Sequence, residues 1–381
     1  MLRKLIVSSF LSMTLIACSD GGSNSSSNVP PLVLPSIQGE SGVGYMQFTI
    51  TDPVRADRLL AVDLWYPVDD IDFMAEPAAT YPLAGGLANI VSEVAGEALP
   101  VSKVADRNLI VFSHGSGGVS NQAYTMMEIL ASQGFIVAAP THAGNTSGDN
   151  GDELALQVAN RTADISFVID QMLLRNSTAG DIFEGTLLTD SIGVTGHSFG
   201  GVTALGMAVG FGDTPADPRV TAIMPVAGWF FVPAAPITEA QYKSLAVPTL
   251  LLGGTLDTSV PIETNREAFA VVDNSPIYNV EIIGAGHNHF TTSCDIADAA
   301  LDIFDSFDAL VALIPAAEPL QAIYISTCAP DVYPVDESLR IQNLYGVAFF
   351  KTYLQNDNSF EDYLTSDYVE QNEPDVTFEE K

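Results

Sequence analysis

Basic residues are scarce in this chain: 14 Lys and Arg stand against 47 Asp and Glu, a formal net charge of −33. A surface this negative repels phosphate backbones and excludes nucleic acid as a partner class. Cysteine is nearly absent. Cys18, Cys294 and Cys328 are the whole complement, and their spacing fits no metal-ligand pattern. Long uninterrupted apolar runs are missing too. The apolar stretch within MLRKLIVSSFLSMTLIAC is too short to span a bilayer, and the uncharged segment 220–238 is broken by Pro225, Gly228, Pro233 and Pro236. No internal repeat is visible. What is present is 381 residues at 47% hydrophobic composition, enough for a large buried core.

The N-terminal 18 residues place Arg3 and Lys4 before the apolar stretch, the layout of an export signal. Their ending, Leu15 to Cys18, resembles the lipobox of bacterial lipoproteins. That resemblance implies that Cys18 becomes the lipidated first residue of the mature chain, so that the membrane is met only through a lipid anchor. Ser19 in place of an aspartate then favours the outer membrane. A simple cleaved secretory signal, giving an extracellular protein, is the plainer alternative. Residues 19–40 are Gly/Ser-rich and then proline-bearing, as expected of a tether. Export into an oxidising compartment favours a disulfide between Cys294 and Cys328 over two unpaired buried thiols.

From residue 108 onward, short Val/Ile/Leu runs alternate with helix-length amphipathic segments. The runs are NLIVFS, GFIVAAP, SIGVTG, VTAIMPV, VPTLLLGG and YNVEIIGAG. This rhythm predicts an α/β fold with a mostly parallel central sheet and helices on both faces. YMQFTI (45–50) and LLAVDLWYP (59–67) add two early strands. Residues 70–107 and 295–340 fall outside the alternation and read as insertions, the second a candidate lid. The expected layout is a catalytic domain over 41–360 followed by an acidic, mobile tail over 361–381. A monomer is expected.

In open sheets of this kind, ligands bind at the carboxyl ends of the strands. One such end carries Gly196-His197-Ser198-Phe199-Gly200, a G-x-S-x-G sequence between a strand and a helix. The glycines leave room for a strained turn that presents Ser198 as nucleophile. A serine hydroxyl needs a base, and the base needs an acid that fixes its tautomer. Asp257 follows the PTLLLGG strand and His287 the YNVEIIGAG strand, in the chain order Ser, Asp, His. Glu239 is the only carboxylate between 218 and 256, and it lies in a Pro-rich loop. His289 competes with His287, but the Gly-Ala-Gly before His287 suits a sharp exit from the strand. His114, His142 and His197 precede the acid and rank lower. FSHGSGG (112–118) has the look of an oxyanion loop, so the backbone N–H groups of Ser116 and Phe199 are the expected oxyanion donors. Trp229, with Phe230 and Phe231, ends the VTAIMPV strand and is a candidate wall of the substrate site, or else a plug against the core.

DLWYP, FSHGSGG, PTHAGN, GHSFGG, VAGWFF, GGTLDTSVP and GAGHNHF together resemble the α/β-hydrolase superfamily. Within it the similarity is to the group of platelet-activating-factor acetylhydrolases, dienelactone-hydrolase-like proteins and cutinase-like polyester hydrolases. The resemblance spans roughly residues 45 to 360. It departs from dienelactone hydrolases at Ser198, where those enzymes carry cysteine. It implies a serine carboxylic-ester hydrolase that needs neither metal nor organic cofactor and acts on small or polymeric esters. The same triad would serve a thioesterase or peptidase, and a non-catalytic exported binding lipoprotein is the reading from a different class.

Overall fold

The computed structural model describes residues 34–69, 77–83, 88–103, 106–146, 148–229, 237–273 and 276–381. The signal sequence, the lipobox with Cys18, and Phe230 and Phe231 lie outside them.

Two long antiparallel strands come first, β1 (Gly42–Asp52) and β2 (Arg58–Val68), followed by the pair β3 (Ala78–Leu83) and β4 (Ala88–Glu97). The alternating part then runs β5 (Arg107–Ser113), α1 (Tyr124–Ser132), β6 (Ile136–Pro140), α2 (Leu154–Ser177), β7 (Leu187–His197), α3 (Phe199–Val209), β8 (Val220–Val226), α4 (Glu239–Lys243), β9 (Thr249–Gly254), α5 (Glu263–Val271) and β10 (Ile277–Ile282). A helical excursion follows as α6 (Ser293–Leu301), α7 (Phe307–Leu313) and α8 (Glu318–Thr327). The long α9 (Val335–Leu354), α10 (Ser366–Asn372) and β11 (Val376–Glu380) close the chain.

Among the described residues eleven strands form one sheet in the order β11-β10-β9-β8-β7-β5-β6-β2-β1-β4-β3. The block from β6 to β10 is parallel throughout. Its carboxyl ends therefore share one edge, which is why residues far apart in sequence can meet there. Strand side chains alternate between faces. Ile110 and Phe112 of β5 join the core built with α1 and α9 through Met127, Leu130, Phe349 and Phe350. Leu109 and Val111 join the opposite core with Ile165 and Ile169 of α2 and Leu205 of α3. Both faces are thus covered, as the unbroken apolar runs require. Among the described residues no helix is long and apolar enough to cross a membrane.

Three segments differ from the sequence expectation. Residues 78–97, expected as part of an insertion, extend the sheet instead: β4 pairs in parallel with β1, and β3 lies outside it. The tether, expected to reach residue 40, gives way earlier to packed chain. Gly39 N–H donates to Ser132 Oγ (2.8 Å), Gln133 Nε2 donates to the Ile37 carbonyl (3.1 Å), and a Cβ on Gly39 would lie 2.4 Å from the Ser132 carbonyl oxygen. The acidic tail is ordered structure. β11 pairs antiparallel with β10 and sets Phe378 against Tyr278 and Tyr345. Its acids cause no conflict because this is an edge strand, where charged side chains are the norm.

Candidate active site

The GHSFGG segment joins β7 to α3 through a single residue. Ser198 sits at φ 56° and ψ −118°, a left-handed conformation that costs a non-glycine residue energy. Local bonding holds it there. Its N–H donates to the Val226 carbonyl (2.9 Å), and its own carbonyl accepts from Gly201 and Val202 (2.9 and 3.2 Å). The flanking glycines are sterically required. A Cβ on Gly200 would fall 1.8 Å from the Ser113 carbonyl oxygen, and one on Gly196 would fall 2.5 Å from the oxygens of Gly200 and Ser113. Ser198 is left partly exposed at the start of a helix, where the helix dipole favours negative charge.

The other two residues arrive from the ends of β9 and β10. Asp257 is buried, and its Oδ1 accepts from the N–H groups of Ser259 and Val260 (2.8 and 2.7 Å), which turns Oδ2 outward. Oδ2 then meets His287 Nδ1 at 2.7 Å, and His287 Nε2 lies 3.0 Å from Ser198 Oγ. An aspartate on Nδ1 places the imidazole proton there and frees Nε2 to accept from the serine hydroxyl. The geometry thus brings together Ser198, Asp257 and His287. His289 points elsewhere: its Nδ1 accepts from Gly286 N–H (3.0 Å) and its Nε2 donates to the Tyr333 carbonyl (3.1 Å). Burial pulls its pKa below the usual histidine value.

Ser116 and Phe199 supply the two backbone N–H groups expected to face an oxyanion. Neither has a hydrogen-bond partner among the described residues. Trp229 emerges just beyond Gly228, which packs on Gly201 of α3, and it is 38% exposed. Leu256, immediately before Asp257, is exposed as well. Both are large apolar side chains left in water close to polar machinery in sequence. The disulfide between Cys294 and Cys328 is formed and closes the base of the helical excursion, seven residues beyond His287.

Sequence reasoning passes over a supporting layer. Gly115 N–H donates to Gln122 Oε1 (3.0 Å), and Gln122 Nε2 donates to His197 Nδ1 (2.8 Å). His197 therefore carries its proton on Nε2 and donates it to the His287 carbonyl (2.8 Å). Burial, with the neighbouring His287 ring, pulls the His197 pKa down to about 3, so this ring stays neutral. The position of His197 beside the nucleophile is a signal for it. Gln122 has none. A second Ser-His-Asp set lies behind the loop: Ser113 Oγ donates to His142 Nε2 (2.9 Å), and His142 Nδ1 donates to Asp164 (2.9 Å). Ser113, His142 and Asp164 are all fully buried, and Asp164 is also held by Arg55 and Arg58. No substrate reaches that serine, and the set acts as scaffold.

A mostly parallel sheet covered on both faces, with a strained serine at a strand-to-helix turn, defines the α/β-hydrolase class. A family model described as PET hydrolase-like matches residues 99–303, more than half of the chain, and the protein belongs to that family. Similar proteins include Cutinase est1 of Thermobifida alba, 28% identical over 160 residues covering 42% of this chain and 46% of that protein. Cutinase 2 of Thermobifida cellulosilytica is 27% identical over 160 residues, 42% of this chain and 52% of its own. Cutinase est2 of Thermobifida alba is 27% identical over 180 residues, 47% and 52% of the two chains. The chain spans about half the length of the relatives it matches.

Proposed function

We propose that the protein is a serine carboxylic-ester hydrolase acting on short-chain or polyester-type esters. The observation that carries this reading is the contact series Ser198 Oγ, His287 Nε2, His287 Nδ1, Asp257 Oδ2 at 3.0 and 2.7 Å. In this reading Ser198 Oγ attacks the ester carbonyl carbon while its proton passes to His287 Nε2. The carbonyl oxygen becomes an oxyanion facing the N–H groups of Ser116 and Phe199. Collapse breaks the C–O bond to the leaving alcohol, which takes the proton from His287. Water then repeats the sequence on the acyl-enzyme, and the acid is released.

The exposed Leu256 and Trp229 favour an apolar acyl or aromatic group, with Trp229 as a wall of the substrate site, and the cutinase names of the relatives favour a polyester. Ser198→Ala is expected to lower p-nitrophenyl acetate turnover by about 10⁴-fold or more with an unchanged melting temperature. Retention of most of the activity refutes the assignment. Release of soluble acid from a polyester film, measured beside p-nitrophenyl esters of increasing acyl length, separates polymer from small-ester preference.

The N-terminal sequence supports export and anchoring through a lipidated Cys18. Cys18→Ser should abolish incorporation of labelled palmitate; labelling that persists in this variant rejects the anchor.

A further inference from the structure

Behind the oxyanion loop lies Arg161 of α2, a fully buried cation with no carboxylate in ion-pair contact among the described residues. Burial of an unpaired charge is costly unless polar groups replace its water. Here oxygens of the loop and its neighbours do so. Nη1 donates to the His114 carbonyl (2.7 Å) and to Ser113 Oγ (3.1 Å), Nη2 to the Gly115 carbonyl (3.0 Å), and both Nε (2.8 Å) and Nη2 to Asn145 Oδ1. Burial draws its pKa down to about 9, which leaves it a cation at neutral pH.

The Gly115 carbonyl belongs to the same peptide group as the Ser116 N–H. In a planar trans peptide the two point in opposite directions. A guanidinium that grips this oxygen from behind therefore turns the Ser116 N–H forward, away from α2. The grip is reinforced by His114 Nδ1, which donates to the same oxygen at 2.7 Å. Gly115 itself lies against the nucleophile: a Cβ on it would sit 3.5 Å from Ser198 Cβ. Withdrawing electron density through the carbonyl also makes the N–H a stronger donor, because bonds in series polarise one another. The other expected donor is tied to the same cation, since the guanidinium carbon lies 4.4 Å from the centre of the Phe199 ring.

We propose that Arg161 is a positioning residue for the oxyanion hole, aiming and polarising the Ser116 N–H through the Gly115 carbonyl while holding Phe199 by its ring. The inference rests on the ester-hydrolase reading above. It predicts a loss in transition-state binding with little loss in ground-state binding.

The test compares wild type, Ser198→Ala, Arg161→Lys and Asn145→Ala on p-nitrophenyl acetate, together with inhibition by phenylboronic acid, whose tetrahedral adduct on serine places an oxygen in the hole. Arg161→Lys keeps the charge but loses the fork, and should lower kcat about 10- to 100-fold with KM within about twofold. The boronate should weaken in parallel with kcat. Asn145→Ala removes the acceptor shared by Nε and Nη2, together with the Asn145 Nδ2 bond to Ser116 Oγ (3.3 Å), but leaves the cation, and should show the same pattern at about severalfold. It stands in where the lysine variant does not fold. Folded variants with wild-type kcat and boronate affinity overturn the proposal, as does a loss confined to KM or to melting temperature. Inactive Ser198→Ala beside fully active Arg161→Lys overturns the role of Arg161 alone, whereas active Ser198→Ala overturns the hydrolase reading and this inference with it.

Discussion

Glu128 on α1 is 6% exposed, and two hydroxyls donate to its Oε1: Tyr81 at 2.7 Å and Ser92 at 2.5 Å. Among the described residues no cation pairs with it. Burial is the main reason its pKa rises from an ordinary 4.5 to about 7, and the nearby carboxyls of Asp295 and Glu93 push in the same direction. Between pH 4.5 and about 7 the folded protein holds a proton that the unfolded chain has released, so stability falls as pH rises through that window and levels off above it. A shift of this size corresponds to about 3 kcal/mol at pH 8, at 1.36 kcal/mol per pKa unit. Glu128→Gln keeps an oxygen for both hydroxyls and removes the ionisation. Its stability relative to wild type, from urea unfolding, should be near zero at pH 4.5 and rise to about 3 kcal/mol in favour of the variant at pH 8. Titrations shared by both proteins cancel in that difference. A difference that is flat with pH, or one that falls, refutes the reasoning.

Two further perturbations test other parts of the construction. Cys294→Ser with Cys328→Ser opens a loop with a sequence separation of 34; on the chain-entropy estimate this should cost about 4 kcal/mol in denaturant unfolding, and a cost below about 1 kcal/mol would mean that the excursion is held by its packing alone. Gly200→Ala drives a methyl group into the Ser113 carbonyl oxygen 1.8 Å away. It should cost about 2–3 kcal/mol in stability and lower turnover by displacing α3 from the oxyanion loop; an active variant with a wild-type melting temperature would contradict this close packing of the elbow.

Most of the strands β5 to β10 are legible because burial on both faces writes them as short runs rich in Val, Ile and Leu, although β10 also buries Asn279 and Glu281. The elbow is legible because its constraint is local: Gly196 and Gly200 are needed by a turn five residues long. Asp257 and His287 follow from chain order together with strand ends. β11 is hidden for the opposite reason. Its sequence, VTFEE, carries Glu379 and Glu380 on an edge where one side needs no partner, and only Val376 and Phe378 mark it as packed. Residues 34–40 have the composition of a tether, yet Gly39 sits where the α1 terminus leaves no space for a side chain.

The same distinction explains why the supporting layer of the site is invisible to motif reading. Gln122 and Arg161 act on groups 75 and 46 residues away, through His197 Nδ1 and the Gly115 carbonyl. Backbone oxygens leave no trace in a sequence, so a side chain that works by gripping one cannot be found from motif spacing. Such residues betray themselves only by cost. A guanidinium with no exposure and no ion-pair partner is unfavourable unless its loop oxygens are worth holding, and here those oxygens lead directly to an N–H that nothing else in the described fold engages. A buried cation compensated by neutral loop oxygens in place of an ion-pair partner, beside an unpartnered donor, is therefore a physical pointer to where the chemistry needs its charge.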